Sequence, residues 1–229
     1  MVGNPSAPAD VHTTRQAYNE IAAVYTEFVK GHLDTAPFDR AMLSVFAERV
    51  RAGGSGPVAD IGCGEGRITA HLNALGVPAF GIDLAPELLA IARQQYPELS
   101  FDEGSMEQLA LDDDSLAGLV VWYSMIHLPP ERVPNVLNEL YRVLAWEGHA
   151  LLAFQATDVP AAALASRECA RPHTVEAFDH KVTRAYRWSP ERLAGLLRDA
   201  GFMVHAQLVR EPEPDERFQQ AYLLASKLR

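Results

Sequence analysis

The chain has 229 residues, 48% of them hydrophobic and 22% charged, the makeup of one folded domain rather than a disordered chain. Its 20 basic and 30 acidic side chains leave a formal charge of −10, which argues against nonspecific binding to nucleic acid or anionic lipid. Cys63 and Cys169 stand far apart, with no CxxC and no His/Cys cluster, so neither a disulfide framework nor a metal site is expected, and a reducing cytoplasm fits.

The first ten residues lack an apolar stretch and read as a frayed terminus, not a signal peptide. Ala17, Ile21, Val24, Tyr25 and Phe28 form a helical stripe over 11–30. A second helix is predicted at 38–51, broken by Gly53-Gly54-Ser55-Gly56-Pro57. Strands follow at 58–61 and 79–83, with a helix at 67–75 between them that Gly76 stops. Pro86 opens the next helix, which ends before Pro97, and 99–102 is a short strand. Residues 116–123 are almost without polar side chains, the mark of a strand buried on both faces. The apolar run to Leu128 is too short to span a bilayer, and no membrane association is expected. Val133, Val136, Leu137, Leu140, Tyr141 and Leu144 place a helix over 131–144, before a strand at 150–154. Ser189 and Pro190 open a last helix that Gly201 closes, and strands are predicted at 203–209 and 218–225.

This alternation predicts an α/β fold, a doubly wound seven-stranded sheet that is mostly parallel, with an antiparallel C-terminal hairpin and N-terminal helices as a lid. The whole chain reads as one domain. Residues 1–51 form the lid helices, 57–154 a cofactor-binding core, 155–187 a variable substrate-side segment, and 188–229 the final helix and hairpin. Only 155–187 shows no clear periodicity, and long loops of that kind are often functional.

The strand at 58–61 runs into Gly62-Cys63-Gly64-Glu65-Gly66. In an open α/β sheet, ligands bind beyond the carboxyl ends of the strands, and the following helix points free N–H groups at an anionic group. Asp83 ends the next strand, where a carboxylate can accept two hydrogen bonds from ribose hydroxyls, so the ligand is expected to contain a nucleoside. The third glycine comes one residue too early for a dinucleotide fingerprint, and Arg67 stands where that pattern has glycine. Asp60, two residues before the first glycine, suits a ligand with an ammonium group.

Taken in order, VADIGCGEG at 58–66, GID at 81–83, EGSM at 103–106 and LYRVL-x-WEG at 140–148 resemble the successive motifs of class I S-adenosylmethionine-dependent methyltransferases. Tyr18-Asn19-Glu20-Ile21-Ala22 with Tyr25 is similar to the amino-terminal segment of the ubiquinone/menaquinone-type members. Trp122-Tyr123-Ser124-Met125-Ile126-His127 resembles a fourth strand found in a bacterial subgroup. The resemblance implies a Rossmann-like fold with S-adenosylmethionine as cofactor and S-adenosylhomocysteine as product. It implies that Gly62, Cys63, Gly64 and Gly66, with Asp60, cradle the methionine part, that Asp83 holds the ribose, and that Leu84 and Met106 flank the adenine. Ser105 stands where many members have Asp. Arg15, Tyr18 and Tyr25 would come from the lid, and Tyr123 and Ser124 from the strand end where donor and acceptor meet.

Methyl transfer from a sulfonium is an in-line displacement with a neutral leaving group, so alignment and exclusion of water are the main demands. An acceptor that must shed a proton also needs a base. His127 is the first candidate, with Tyr123 as a second catalytic candidate. Arg171, His173 and His180 in the variable segment are candidate substrate contacts, with Glu176 and Arg184 near them. Each has a plain structural reading too: His127 as a helix-entry residue, the tyrosines as packing residues, Cys63 as a small filler, the charged residues as a solvated loop. The expected partner is a small molecule, with O-, N-, C- and S-methylation all open, and the protein a monomer or homodimer. An RNA-modifying methyltransferase, a noncatalytic S-adenosylmethionine-binding protein and a nicotinamide-dependent oxidoreductase are the other readings.

Overall fold

The computed structural model describes residues 9–54, 56–157 and 174–228. Helices α1 (Ala9–Val29), α2 (His32–Thr35) and α3 (Pro37–Gly53) precede the first strand. Then come β1 (Val58–Ile61), α4 (Arg67–Ala74), β2 (Ala79–Asp83), α5 (Pro86–Gln95), β3 (Phe101–Glu103) and β4 (Leu116–Trp122). A 3₁₀ turn (Met125–His127) leads to α6 (Val133–Val143) and β5 (Leu144–Gln155). After β6 (Val175–Asp179) and β7 (Arg184–Trp188), the chain closes with α7 (Pro190–Asp199), β8 (Phe202–Arg210) and β9 (Gln220–Lys227).

Seven strands form one sheet in the order β3-β2-β1-β4-β5-β9-β8. β1 pairs in parallel with both β2 and β4, so the strand order reverses between β1 and β4. β9 runs antiparallel to β5 and β8, against the other six strands. Every residue of β9 is buried, because it lies between two neighbours rather than at the sheet edge. The expected doubly wound sheet with an antiparallel C-terminal pair is what the chain forms.

Both sheet faces are covered, so the central strands carry apolar side chains on both sides. Leu119 and Val121 of β4 face a core shared with Val136, Leu137 and Leu140 of α6 and Leu193 and Leu197 of α7. Val120 and Trp122 face the opposite core, built with Leu43 and Phe46 of α3 and Ile68 and Leu72 of α4. Truncating one of these fully buried leucines to alanine costs about 2–5 kcal/mol. Ser189 caps α7 as expected, its hydroxyl accepting from the Arg192 N–H at 3.3 Å.

Three expectations need correction. The variable segment, read as unpatterned, holds an antiparallel pair in its described part, with Val175 opposite Trp188 and Asp179 opposite Arg184. Its alternation is hidden because both faces mix charged and apolar side chains, Asp179 and Arg184 with Val175 and Trp188 on one and Glu176 and Arg187 with Phe178 and Ala185 on the other. β5 begins six residues earlier than the predicted strand at 150–154, through the polar Trp146-Glu147-Gly148-His149 stretch, with a register shift against β4. β4 stops at Trp122 rather than Tyr123, because Tyr123 takes a left-handed φ of 53° that ends the extended backbone.

Candidate active site

The carboxyl ends of β1, β2 and β4 converge where the strand order reverses. Gly62, at the end of β1, has φ 78°, and a Cβ there would sit 2.2 Å from the Cβ of Ser124. Ser124 occupies that space because its hydroxyl donates to the Ile61 carbonyl at 2.7 Å. The glycine therefore lets two strand ends meet. Gly64 has φ 56° and a different role: a Cβ there would meet nothing closer than the Tyr25 ring at 3.8 Å and Leu88 at 4.0 Å. Bare backbone at Gly64 thus faces open space.

That space is a cleft of about 530 Å³, open solvent included. Gly62, Gly64, Asp83, Leu84 and Met106 line one side, and Trp122, Tyr123, Ser124 and His127 line the β4 side. Arg15, Tyr18 and Tyr25 of α1 cover it. Four further lining residues, Thr14, Ala85, Leu88 and Trp122, were not singled out in the sequence as ligand contacts. Trp122 looks like core because it ends an apolar strand, and the other three carry no polar signature beyond a hydroxyl.

Asp83 is held from two sides. Its carboxylate accepts from the Gly64 N–H and the Ala85 N–H, each at 2.8 Å. Burial pushes its carboxyl up, opposed by those backbone donors. Each carboxylate oxygen has a second lone pair, so two acceptor positions remain.

Asp60, Cys63 and Gly66 do not line the cavity. Asp60 is fully buried beneath the glycine turn; one oxygen accepts from the Thr69 hydroxyl at 2.7 Å and the other has no hydrogen-bond partner among the described residues. Burial lifts its carboxyl to about 7. Cys63 turns its thiol into a small core with Leu89, Ala92 and Phe101, and burial raises its pKa, which suits a filler rather than a nucleophile. Gly66 sits at the start of α4. Ser105 borders an adjoining cavity that shares Leu84, Met106, Ser124 and His127 with the first. Arg67 opens α4 paired to the buried Glu65 at 3.1 Å.

His127 lies against α1. Its Nδ1 is 3.1 Å from the Arg184 carbonyl, which can only accept, so Nδ1 carries the hydrogen. Nε2 is then an acceptor, and the Tyr18 hydroxyl donates to it at 2.8 Å. Burial, more than any neighbouring charge, brings the His127 pKa down to about 4, so the ring is neutral near pH 7. Burial also raises Tyr18 and Tyr123 well above the usual phenol range. His180 packs edge-on against His127 with ring centroids 5.1 Å apart, behind the cavity wall rather than in it. Arg171 and His173 lie outside the described residues.

Helix α1 is fixed over the cavity at several points. Asp10 pairs with Arg132 at 2.6 Å, Arg15 with Glu103 at 2.6 Å, and the Glu87 N–H donates to Asn19 at 3.2 Å. Ala22, Tyr18 and Tyr25 pack on Ala85 and Leu88 of the α5 region. No helix among the described residues is long and apolar enough to cross a membrane.

Residues 58–148 match the model of the Methyltransferase domain family. Over 135 residues the chain is 30% identical to the demethylmenaquinone methyltransferase of Chlorobaculum tepidum, a match covering 57% of this chain and 54% of that protein. The chain thus spans about half the length of that relative. Its fold is similar to the Burkholderia thailandensis 1,6-didemethyltoxoflavin-N1-methyltransferase solved with its substrate and S-adenosylhomocysteine, at TM-score 0.65 and 20% identity, covering 100% of this chain and 94% of that one. It is also similar to the Synechocystis magnesium protoporphyrin IX methyltransferase, at TM-score 0.68 and 16% identity, covering 98% and 100%. Residues 58–148 are thus similar to a methyltransferase domain, and the chain shares its fold with S-adenosylmethionine-dependent methyltransferases.

Proposed function

We propose that the protein transfers a methyl group from S-adenosylmethionine to a small-molecule acceptor by in-line displacement, acting in the cytoplasm as a monomer or homodimer. The cavity's donor and acceptor set fits that cofactor. Asp83 keeps two acceptor positions for a ribose diol, and bare backbone at Gly64 leaves room beside it. Leu84 and Met106 offer apolar contacts for a base. Tyr18, Tyr25, Trp122 and Tyr123 supply aromatic rings, which attract a sulfonium cation. The observation that carries the reading is Asp83 in the cavity wall, held by the same glycine turn it faces.

When bound, S-adenosylmethionine supplies an electrophilic methyl group. The work left to the protein is to align the acceptor and exclude water, which in model systems removes about 7–11 kcal/mol of barrier at best. Tyr123 and Ser124 follow the end of β4 at the cavity, and α1 roofs it. A proton leaving the acceptor would pass to the Tyr18 hydroxyl as Tyr18 gives its own proton to Nε2 of His127. A base with a pKa of about 4 suffices for a hydroxyl acceptor, because the acceptor oxygen becomes strongly acidic as its new bond forms.

The test is incubation with methyl-labelled S-adenosylmethionine and a small-molecule extract. The expected result is protein-dependent S-adenosylhomocysteine together with a labelled low-mass product. Label in RNA alone, or no product at all, would overturn the proposal.

A further inference from the structure

Beyond His127, a row of rings leads from the cavity wall toward the surface. His180 packs on His127, Phe178 packs on His180 with centroids 6.0 Å apart, and Phe218 packs on Phe178 at 5.0 Å. Two cations flank His180 from different elements. Lys181 is the next residue in the β6–β7 turn, and its Nζ lies 4.2 Å from the centre of the Phe28 ring on α1. Arg217, from the β8–β9 link, donates to the carbonyl of Asp179, the residue before His180, at 3.3 Å and lies over Phe218.

Both cations are exposed, and neither forms an ion pair with a carboxylate among the described residues. Among the described residues, none of the nearby acids pairs with either cation. Glu176 pairs with Arg187 at 2.5 Å, Glu216 pairs with Arg210, and Asp179 and Asp215 pair with neither Lys181 nor Arg217. Lys181 and Arg217 both lower the proton affinity of His180, after burial, so their charge reaches the ring. In a chain of formal charge −10, two cations without an ion-pair partner among the described residues stand beside an aromatic row that adjoins the cavity wall.

We propose that Lys181 and Arg217 bind an anionic group of the methyl acceptor over His180, so that the acceptor is a ring-bearing molecule carrying a carboxylate or a phosphate. The rings of His180 and Phe178 offer it faces and edges, and the two cations offer separated donors that suit an anion with several oxygens. This inference rests on the methyl-transfer reading, because it names the acceptor of that reaction.

The test uses the full chain loaded with S-adenosylhomocysteine and titrated with naphthoate, naphthyl phosphate and the neutral naphthamide. At least one anion should bind about tenfold more tightly than the amide, and the preference should shrink as salt rises from about 50 to about 500 mM. Whichever anion binds more tightly identifies the group. In the Lys181→Gln/Arg217→Gln double variant the preference should vanish while S-adenosylhomocysteine affinity holds. Equal binding of anion and amide, binding of neither, or a preference that survives in the double variant overturns the proposal. If S-adenosylhomocysteine binds normally in those cases, the anion subsite alone falls. If it does not bind the wild-type protein, the methyl-transfer reading falls and takes the subsite with it.

Discussion

Replacing Asp83 by Asn tests the cofactor side of the site. The carboxylate now accepts two backbone N–H groups at 2.8 Å, from Gly64 and Ala85. An amide has one acceptor oxygen, so one of those N–H groups would face an NH2 group and lose its partner. A buried unpaired donor costs about 1–3 kcal/mol, and in a chain of this size each kcal/mol lowers Tm by about 2–4 °C. Ribose binding suffers separately. Two hydrogen bonds from hydroxyls to a charged group are worth about 1.5–3 kcal/mol each, so their loss weakens S-adenosylhomocysteine by about a hundredfold or more. Calorimetry reads the affinity, and an analogue without the ribose hydroxyls separates the two effects. That analogue should bind wild type and variant about equally, because the interaction it lacks is the one the variant lacks. Wild-type affinity of the variant for S-adenosylhomocysteine, with only Tm lowered, would show that Asp83 merely braces the turn.

Other perturbations follow from the same geometry. Gly62→Ala drives a methyl group into Ser124 at a φ of 78° and should destabilise the protein by about 3 kcal/mol or more; Ser124→Gly should recover part of that loss in a denaturant series, and additive effects would refute the contact. Tyr18→Phe leaves Nε2 of His127 without a partner, and His127→Ala removes the ring. Both should cut turnover more than cofactor affinity, and normal turnover in His127→Ala would make His127 purely structural. Asp60 gives a pH signature. Its folded pKa of about 7 lies above the ordinary 3.8, so the unfolded chain loses this proton first and stability falls as pH rises between those values. The whole window is worth about 4 kcal/mol, of which about 3 falls between pH 5 and pH 8. Asp60→Asn should remove that fall, and parallel urea midpoints for wild type and variant across the window would contradict it.

The sheet and the glycine turn could be read from sequence because their signals are local. Residues 116–122 are apolar on both faces, α6 repeats its buried positions at helical spacing, and Asp83 ends its strand beside the turn. What stayed hidden depends on contacts between distant segments. Tyr18 and His127 are 109 residues apart, and only the fold makes one the hydrogen-bond donor of the other. The β6–β7 pair carries charged and apolar residues on both faces and is held by Trp188 and the 3₁₀ turn, so no alternation marks it in the chain. Asp60 was expected to serve a ligand's ammonium group, yet its side chain lies under the turn, bonded to Thr69, because inward and outward positions alternate along β1.

Calorimetric titration of the purified protein with S-adenosylmethionine, S-adenosylhomocysteine and NAD, each alone, tests the central claim most directly. The site built from Asp83, the glycine turn and the aromatic roof predicts binding of both adenosyl ligands at about micromolar Kd and none of NAD. Binding of NAD alone, or of none of the three, would contradict it.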